Sequence, residues 1–399
     1  MKDFVATATD GTAVHYQDRK RWWWMLSVTF PLQIYIGIVL HAQTGQQLWL
    51  LLPLVLNYVG GTILDWLFGE DENNPPEEVV MQLEQDLYYR LLTYVVVGMH
   101  FLSFYGAAWW AGTQPLSWWA FVGLAAVAGM TSGLAINTGH ELGHKRSPFE
   151  RMLSKLALAI PMYGHFTIDH NRGHHRDVST PEDCASSRMG ESIYRFALRE
   201  IPGAFRRAWQ IESERLLRRG LGVWSTENSI LRSLALSLLI QGAVVVAFGW
   251  HMIVFLVVHN ALAYWQLTSA NYVEHYGLLR KRDADGRIER CLPQHSWNSN
   301  HTFSNLSLFH LERHSDHHAH PLRRYQSLRH FPDLPSLPTG YFGCYLLAWV
   351  PPLWFRVMDK RLLALPHVNH DLGNVNVDSS RRECIVKRYG LSGALEQAQ

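Results

Sequence analysis

Six apolar runs, each about as long as a bilayer is thick, constrain the fold of this 399-residue chain more than any other feature. A transmembrane helix needs roughly 20 consecutive, mostly apolar residues. Backbone polar groups inside lipid must also be satisfied within the spanning segment, which favours helices. The sequence therefore predicts an all-α integral membrane protein with six transmembrane helices, at about 22–41, 46–68, 90–111, 117–139, 228–250 and 252–273.

The composition argues against several other classes of protein. The formal net charge is +2, so a polyanionic partner such as nucleic acid is not expected. The four cysteines are isolated and form no C-x-x-C pair, which argues against a disulfide framework, a zinc ribbon or a rubredoxin-type iron site. The N-terminal segment is polar ahead of the first apolar run and has no small-residue cleavage site, so it is not a secretory signal.

Basic residues set the expected orientation. Arg19-Lys20-Arg21 and three tryptophans open the first run, and the positive-inside rule places this end in the cytoplasm. Six crossings return the C-terminus to the same side, and the short connections 42–45 and 112–116 carry no lysine or arginine. An apolar stretch at 341–357 is broken by two prolines, which predicts an interfacial or buried helix there. We expect a single membrane-embedded domain over 1–399 with a cytoplasmic helical cap formed by 140–227 and 274–399.

Histidines are clustered at the predicted ends of the membrane helices. The fourth run ends on "NTGHELGHK" and is followed by "DHNRGHH", while the sixth ends on "NYVEHYG" and "ERHSDHHAH" lies in the cap. The predicted topology brings all four clusters to the same side of the membrane. The candidate metal ligands in them are His140, His144, His170, His174, His175, His275, His314, His317 and His318.

Helical geometry indicates two metal ions. In "HELGH" and in "HNRGH" the two histidines are four residues apart, so each pair shares a helix face and can chelate. Adjacent residues lie about 100° apart around a helix, so the doublets 174–175 and 317–318 cannot easily point both rings at one ion. If each doublet divides its rings, two ions receive four or five imidazoles each. We therefore predict a dinuclear site, with the metal left open because imidazole suits iron, copper, zinc and nickel alike.

Two alternatives follow from the same residues. The H-E-x-x-H of "NTGHELGHK" is by itself the motif of a zinc protease with Glu141 as general base, but that mechanism leaves seven clustered histidines without a role. A metal transporter would place its ligands along a path near mid-membrane, whereas these lie at one end.

Carboxylates and further histidines surround the predicted ligands. Carboxylates commonly hold the second ring nitrogen of a ligand histidine, and the candidates for that role, which could instead be plain surface groups, are Glu141, Asp169, Glu274 and Asp316. His100 and His259, inside predicted spans, are expected to be structural. The histidines left as candidates for proton relay or for contacts to the ligand rings are His165, His295, His301, His310, His320 and His330.

The segments "NTGHELGHK", "HNRGHHRDVSTPED", "LTSANYVEHYGLLR" and "LFHLERHSDHHAHPLRRYQSL" resemble the signature segments of the membrane-bound alkane 1-monooxygenases. The similarity extends to "FGEDENNPPEE", "SRMGESIYRFALREIPGAFRRAW" and "HSWNSNH", and so covers nearly the whole chain. A histidine-box acyl-lipid desaturase or hydroxylase is the alternative within the same kind of enzyme.

The resemblance implies a non-haem di-iron centre with the nine histidines as iron ligands, and O₂-dependent hydroxylation of medium-chain n-alkanes to 1-alkanols. It implies the bacterial inner membrane and electrons from rubredoxin, itself reduced by an NAD(P)H-dependent rubredoxin reductase. Because the chain lacks C-x-x-C pairs, rubredoxin is expected to be a separate chain or a removed fusion. Arginines that could attract an acidic carrier, or that could equally form an ordinary solvated face, are Arg206, Arg207, Arg218 and Arg219.

An alkane has no polar handle, so an apolar channel reached from the bilayer is expected below the ligands. Counting helical steps back from His140 and His275 gives two stripes on the fourth and sixth spans. The two glycines in the first stripe leave room for a thin chain, although they would equally allow close helix packing. The expected lining residues are Gly129, Gly133, Ile136, Tyr264, Thr268 and Asn271.

Overall fold

The computed structural model describes residues 2–71 and 73–391, so the last part of the predicted cap, 392–399, lies outside the described residues. Within the described chain, six helices are long and apolar enough to cross a membrane, as predicted. They are called spans 1 to 6 below and comprise Met25–Thr44, Gln47–Phe68, Leu87–Thr113, Trp118–Gly143, Ser229–Phe248 and Met252–His275.

Span 4 is longer than a bilayer requires. Its 26 residues rise by roughly 39 Å, whereas the hydrocarbon core is about 30 Å thick. The C-terminal turns that carry His140 therefore extend beyond the apolar layer, where a polar cluster can be built without burying charge in lipid.

Spans 4 and 6 have the most extensive contact of any helix pair in the described part of the chain. A Cβ atom placed on Gly129 would overlap the carbonyl oxygen of His259, and one on Gly133 would lie 2.5 Å from Cβ of Gln266. Small residues at a membrane helix interface allow this approach. His259 Nε2 also lies 2.7 Å from Ser132 Oγ, and this contact fixes the relative rotation of the two spans.

The cap lies at a single end of the bundle. The N-terminal end of span 1 contacts it through Trp24, whose ring centroid is 4.6 Å from that of His310. Asp65 near the end of span 2 accepts a hydrogen bond from Ser304 N, and Tyr325 Oη donates to the Tyr89 carbonyl at the start of span 3. The cap helices of six or more residues are Glu77–Gln85, Pro148–Ala159, Ile193–Leu217, Thr302–Ser307, His314–Ala319, Tyr341–Ala348, Pro351–Leu363 and Arg382–Tyr389. Shorter helical turns include Phe166–Asp169, His170–His174 and His175–Asp177.

The apolar stretch at 341–357 is divided between a mostly buried helix and a half-buried one, and neither qualifies as a span. Tyr341–Ala348 ends before the prolines, and Pro351–Leu363 begins on Pro351, where the missing N–H costs nothing. Tyr341 and Trp354 are fully buried, which agrees with the predicted buried helix.

The N-terminus departs from the predicted all-helical architecture. Strands β1 (Lys2–Thr7) and β2 (Ala13–Asp18) form an antiparallel ribbon. Alternating burial along β1 and a glycine at φ +86°, Gly11, in the connecting turn account for the hairpin. Its apolar face packs on the helix Glu77–Gln85.

Candidate metal centre

The nine predicted histidines converge at the cap end of the bundle in two separate groups. Within each group the candidate ligand atoms lie within 4.8 Å of one another. The five-histidine group consists of His140, His144, His170, His175 and His317. The four-histidine group consists of His174, His275, His314 and His318.

Both histidine doublets are divided between the groups, as helical geometry predicts. His174 belongs to the four-histidine group and His175 to the five-histidine group, and the doublet 317–318 is divided in the same way. His314–Ala319 is a regular helix, so its two adjacent rings point in directions about 100° apart.

The expected pairing of His170 with His174 is wrong. Residues 170–174 form a π-helical turn, in which hydrogen bonds join residues five apart, so the i, i+4 face of an α-helix is lost. His170 Nε2 instead lies 3.1 Å from His175 Nε2, and His174 turns to the other group. His140 and His144, on the α-helical end of span 4, do remain together.

Close approaches of ring nitrogens fit shared coordination of an ion. The distance from His140 Nε2 to His317 Nε2 is 2.9 Å. His314 Nε2 lies 2.9 Å from His318 Nε2 and 3.3 Å from His275 Nε2. Two nitrogens bound at right angles to one ion, with bonds of about 2.1 Å, would lie about 3 Å apart. The groups therefore have the spacing of ligands that share a metal.

Buried nitrogens without partners support the same conclusion. Among the described residues, His144 Nε2 and His174 Nε2 are buried and have no hydrogen-bond partner, although such atoms are normally satisfied. Burial also lowers the pKa of His170, His314 and His317 well below the usual value, so these rings are neutral at physiological pH. Neutral imidazoles are the form that binds metal. The residues fit a pair of metal ions.

Asp183 is the carboxylate that orients a candidate ligand, and the sequence analysis missed it. Its Oδ2 lies 2.9 Å from His174 Nδ1, which leaves His174 Nε2 free for a metal. Arg207 donates to Asp183 Oδ1 over 2.7 Å and also binds Asp169. Although burial acts to raise it, these interactions hold the pKa of Asp183 well below its usual range. The available signal was an acidic pair, Glu182-Asp183, eight and nine residues after His174.

The four predicted carboxylates take different positions. Glu141 Oε1 lies 3.0 Å from Lys145 Nζ, which is not the arrangement of a free protease base. Asp316 pairs with Arg323. Asp169, as noted, pairs with an arginine and does not contact a candidate ligand. Glu274 alone faces a ligand nitrogen, with 3.5 Å from its Oε2 to Nε2 of His314.

A largely apolar cavity opens onto the candidate metal centre. His140, His170 and His314 form part of its wall. Three of the predicted channel residues line it: Gly133, Ile136 and Asn271. The prediction did not include several further lining residues: Met130, Leu134, Ala270, Leu308, Leu311, Phe342 and Tyr345.

The other three predicted channel residues have different contacts. Gly129 packs on the backbone of span 6, so the helix-packing alternative applies there. Tyr264 donates to the Met162 carbonyl, and Thr268 donates to Glu200. On span 6 the cavity follows a different stripe, formed by Leu267, Ala270, Asn271 and Glu274, and it also extends to the cap helix Tyr341–Ala348.

The remaining predicted histidines lie outside both groups. Inside the spans, His100 Nε2 is 2.9 Å from Thr138 Oγ1, a structural contact between spans 3 and 4. His310 Nδ1 lies 2.9 Å from the Tyr325 carbonyl and helps to fasten the cap. The other candidates for proton relay belong to neither histidine group: His165, His295, His301, His320 and His330.

Six spans with two histidine groups at one end define a histidine-box membrane enzyme. Consistently, the model of the fatty acid desaturase family matches residues 116–339, more than half of the chain. An alkane 1-monooxygenase of Ectopseudomonas oleovorans is 53% identical over 384 residues, 96% of this chain and 95% of the relative. Alkane 1-monooxygenase 1 of Alcanivorax borkumensis is 52% identical, covering 95% and 93% respectively.

The chain belongs to the alkane 1-monooxygenase family, which confirms the resemblance in its motifs. A more distant relative is the xylene/toluene monooxygenase hydroxylase component of Pseudomonas putida, 28% identical over 59% of this chain and 63% of that protein. The chain is thus a membrane-embedded monooxygenase.

Proposed function

We propose that this protein hydroxylates the terminal methyl group of medium-chain n-alkanes to 1-alkanols at a non-haem di-iron centre. The observation that carries the proposal is the apolar cavity that ends on His140, His170 and His314. Burial of an alkyl chain contributes about 0.8 kcal/mol per CH₂, so an octane-sized chain gains roughly 6 kcal/mol without any polar contact. The cavity would therefore bring a methyl group to the candidate metal centre.

The nine histidines would hold the two iron ions, five imidazoles on one and four on the other. Iron bound there would supply activation of O₂. Asp183 would keep His174 in the tautomer that presents Nε2, and Tyr341, which donates to Glu274 over 2.9 Å, would fix that carboxylate at the cavity wall. The overall reaction is RH + O₂ + two electrons + two protons giving ROH and H₂O.

Rubredoxin, reduced by an NAD(P)H-dependent reductase, would supply the electrons from the water phase. The basic residues ahead of span 1 favour a cytoplasmic cap and cytoplasmic termini, in the inner membrane of a bacterium. This arrangement lets the metal centre meet an alkane dissolved in lipid on one side and a soluble carrier on the other.

The test combines metal analysis of the purified protein with product detection. Two irons per chain, and 1-octanol formed from octane only with O₂ and reduced rubredoxin, are expected. Activity on acyl thioesters but none on octane would instead favour a desaturase or hydroxylase of acyl lipids. Tightly bound zinc with peptide cleavage would restore the protease interpretation.

A further inference from the structure

A second cavity lies at the cap end of span 4 and is called the basic cleft here. Its wall is formed by residues 143–146, by the helix Pro148–Ala159, by residues of 167–172 and by the end of Ile193–Leu217. His144 is part of this wall, whereas His140, one turn earlier, lines the apolar cavity. The five-histidine group therefore contributes His144 to the wall of the cleft and His140 to the wall of the apolar cavity.

The cleft carries an excess of positive charge. Arg146, Arg151, Lys155 and Arg172 line it and are exposed. Within residues 2–71 and 73–391, none of these four side chains forms an ion pair. Glu212, a carboxylate in the same wall, is bound to Arg215. Four uncompensated cations around one opening favour an acidic partner.

Three of the four arginines that the sequence suggested as binding an acidic carrier already lie near carboxylates of this chain. Arg207 is held between Asp169 and Asp183. Arg218 and Arg219 are exposed but each lies within 3.8 Å of a glutamate, Glu214 and Glu227 respectively. Of the four, Arg206 alone is exposed without an ion pair among the described residues. The basic cleft, by contrast, brings four such cations together next to a candidate ligand.

We propose that the basic cleft is the docking surface for a small acidic electron-transfer protein, and that electrons enter the centre through the His144 ring. The inference rests on the proposed function, in which rubredoxin is that protein. Electron transfer slows steeply with distance, so a carrier gains from binding where a ligand ring lines the surface. Each hydroxylation consumes two electrons, so two one-electron carriers are oxidised for every O₂ reduced and alkane hydroxylated.

The test reverses charge in the cleft with the double variant Arg146→Glu/Lys155→Glu. The matched control is Arg218→Glu/Arg219→Glu, which reverses two exposed cations outside the cleft. Both proteins are placed in phosphatidylcholine nanodiscs, and the KM for reduced rubredoxin is measured with saturating octane at several salt concentrations. We expect the cleft variant to raise the KM about tenfold at low salt, with the difference vanishing at high salt, and the control to stay within about twofold.

Binding of oxidised rubredoxin is measured by fluorescence anisotropy. Because this measurement needs no turnover, it tests the docking surface separately from the proposed hydroxylase function. A weakened Kd in the cleft variant alone supports the docking surface. An unchanged Kd and KM, or an equal change in the control, overturns it while the proposed function stands. If the wild type binds rubredoxin in the cleft but forms no 1-octanol, the proposed function fails and the docking surface does not. If the effect occurs only in discs containing phosphatidylglycerol, the cleft binds lipid headgroups and the proposal is overturned.

Discussion

At the scale of single residues, Asp183 controls the geometry of the four-histidine group most directly. It is buried, it binds Nδ1 of His174, and it is itself held by Arg207. A ligand histidine whose second nitrogen is fixed in this way presents one defined tautomer and ring orientation. The effect of Asp183 therefore passes through His174, so it is a positioning residue.

Asp183→Asn is expected to weaken metal binding by about 10- to 100-fold, because the amide orients His174 less strongly than the carboxylate does. The measurement is the metal retained per chain during titration with a chelator. The matched control is Glu182→Gln, whose exposed side chain pairs with Arg282 on the surface. If Asp183→Asn retained metal as well as this control, the positioning role would be excluded.

At the scale of elements, packing of span 4 on span 6 sets the relative position of the candidate ligands they carry. Gly129 lets the two backbones approach, and His140 and His275 lie further along the same two helices. The helix Ile193–Leu217 supports span 6 from outside through Glu200, which accepts hydrogen bonds from Thr268 and Asn271.

Gly129→Ala is expected to destabilise the protein by about 1–3 kcal/mol, because the added Cβ overlaps the His259 carbonyl oxygen and forces the spans apart. Thermal unfolding in detergent measures the effect. Gly98→Ala in span 3 is the matched control, since its Cβ would meet open space and alanine favours the helix. Equal stability of the two variants would contradict close packing at Gly129.

Glu200 should make stability depend on pH. Burial raises its pKa to about 7, helped by Asp169 and opposed by Thr268, Asn271 and Arg199. Because folding raises the pKa, protonation of Glu200 stabilises the folded protein. This contribution to the free energy of unfolding is complete below about pH 4.5 and is lost as the pH rises to about 7. The loss is on the order of 3 kcal/mol for a shift of this size.

Glu200→Gln removes the charge, and its amide oxygen can still accept the hydrogen bond from Asn271 Nδ2. The melting temperature of this variant should change less than that of the wild type between pH 5 and pH 8, and should exceed it at pH 8. Glu214→Gln, on the exposed side of the same helix, should retain the wild-type pH dependence. A parallel pH dependence in the wild type and Glu200→Gln would refute the assignment.

At the scale of the whole molecule, the two histidine groups join four segments that are distant in sequence. Span 4, residues 166–177, span 6 and the helix His314–Ala319 all contribute candidate ligands. Bound metal would therefore act as a cross-link between the membrane bundle and its cap, and metal binding would contribute directly to the free energy of unfolding.

Removal of metal by a chelator should lower the melting temperature by several degrees, since binding at 1,000 times Kd contributes about 4 kcal/mol. Added Zn²⁺ should restore the melting temperature but not hydroxylation, because zinc has no redox chemistry. Unfolding in detergent and product formation are measured on the same samples. A melting temperature that does not respond to metal would mean that the groups do not bind it in the folded protein.

Much of this architecture could be predicted from local patterns. The lengths of the apolar runs gave six spans to within a few residues, and the adjacent histidines required two groups. The N-terminal ribbon was missed because one short alternating segment with an Asp-Gly turn is a weak signal beside long apolar runs. The cavity was predicted only in part, because Phe342 and Tyr345 reach it from a helix about 200 residues away from span 4 in sequence.

The sequence by itself determined which segments enter the membrane and which side chains could bind metal, because burial of apolar length and the chemistry of imidazole are local properties. The tertiary structure alone decided which histidine joins which group and which carboxylate orients a ligand. Those outcomes depend on the π-helical turn at 170–174 and on the packing of Asp183 and Arg207 against it. Both arise only when distant segments pack together, and no local pattern encodes that packing.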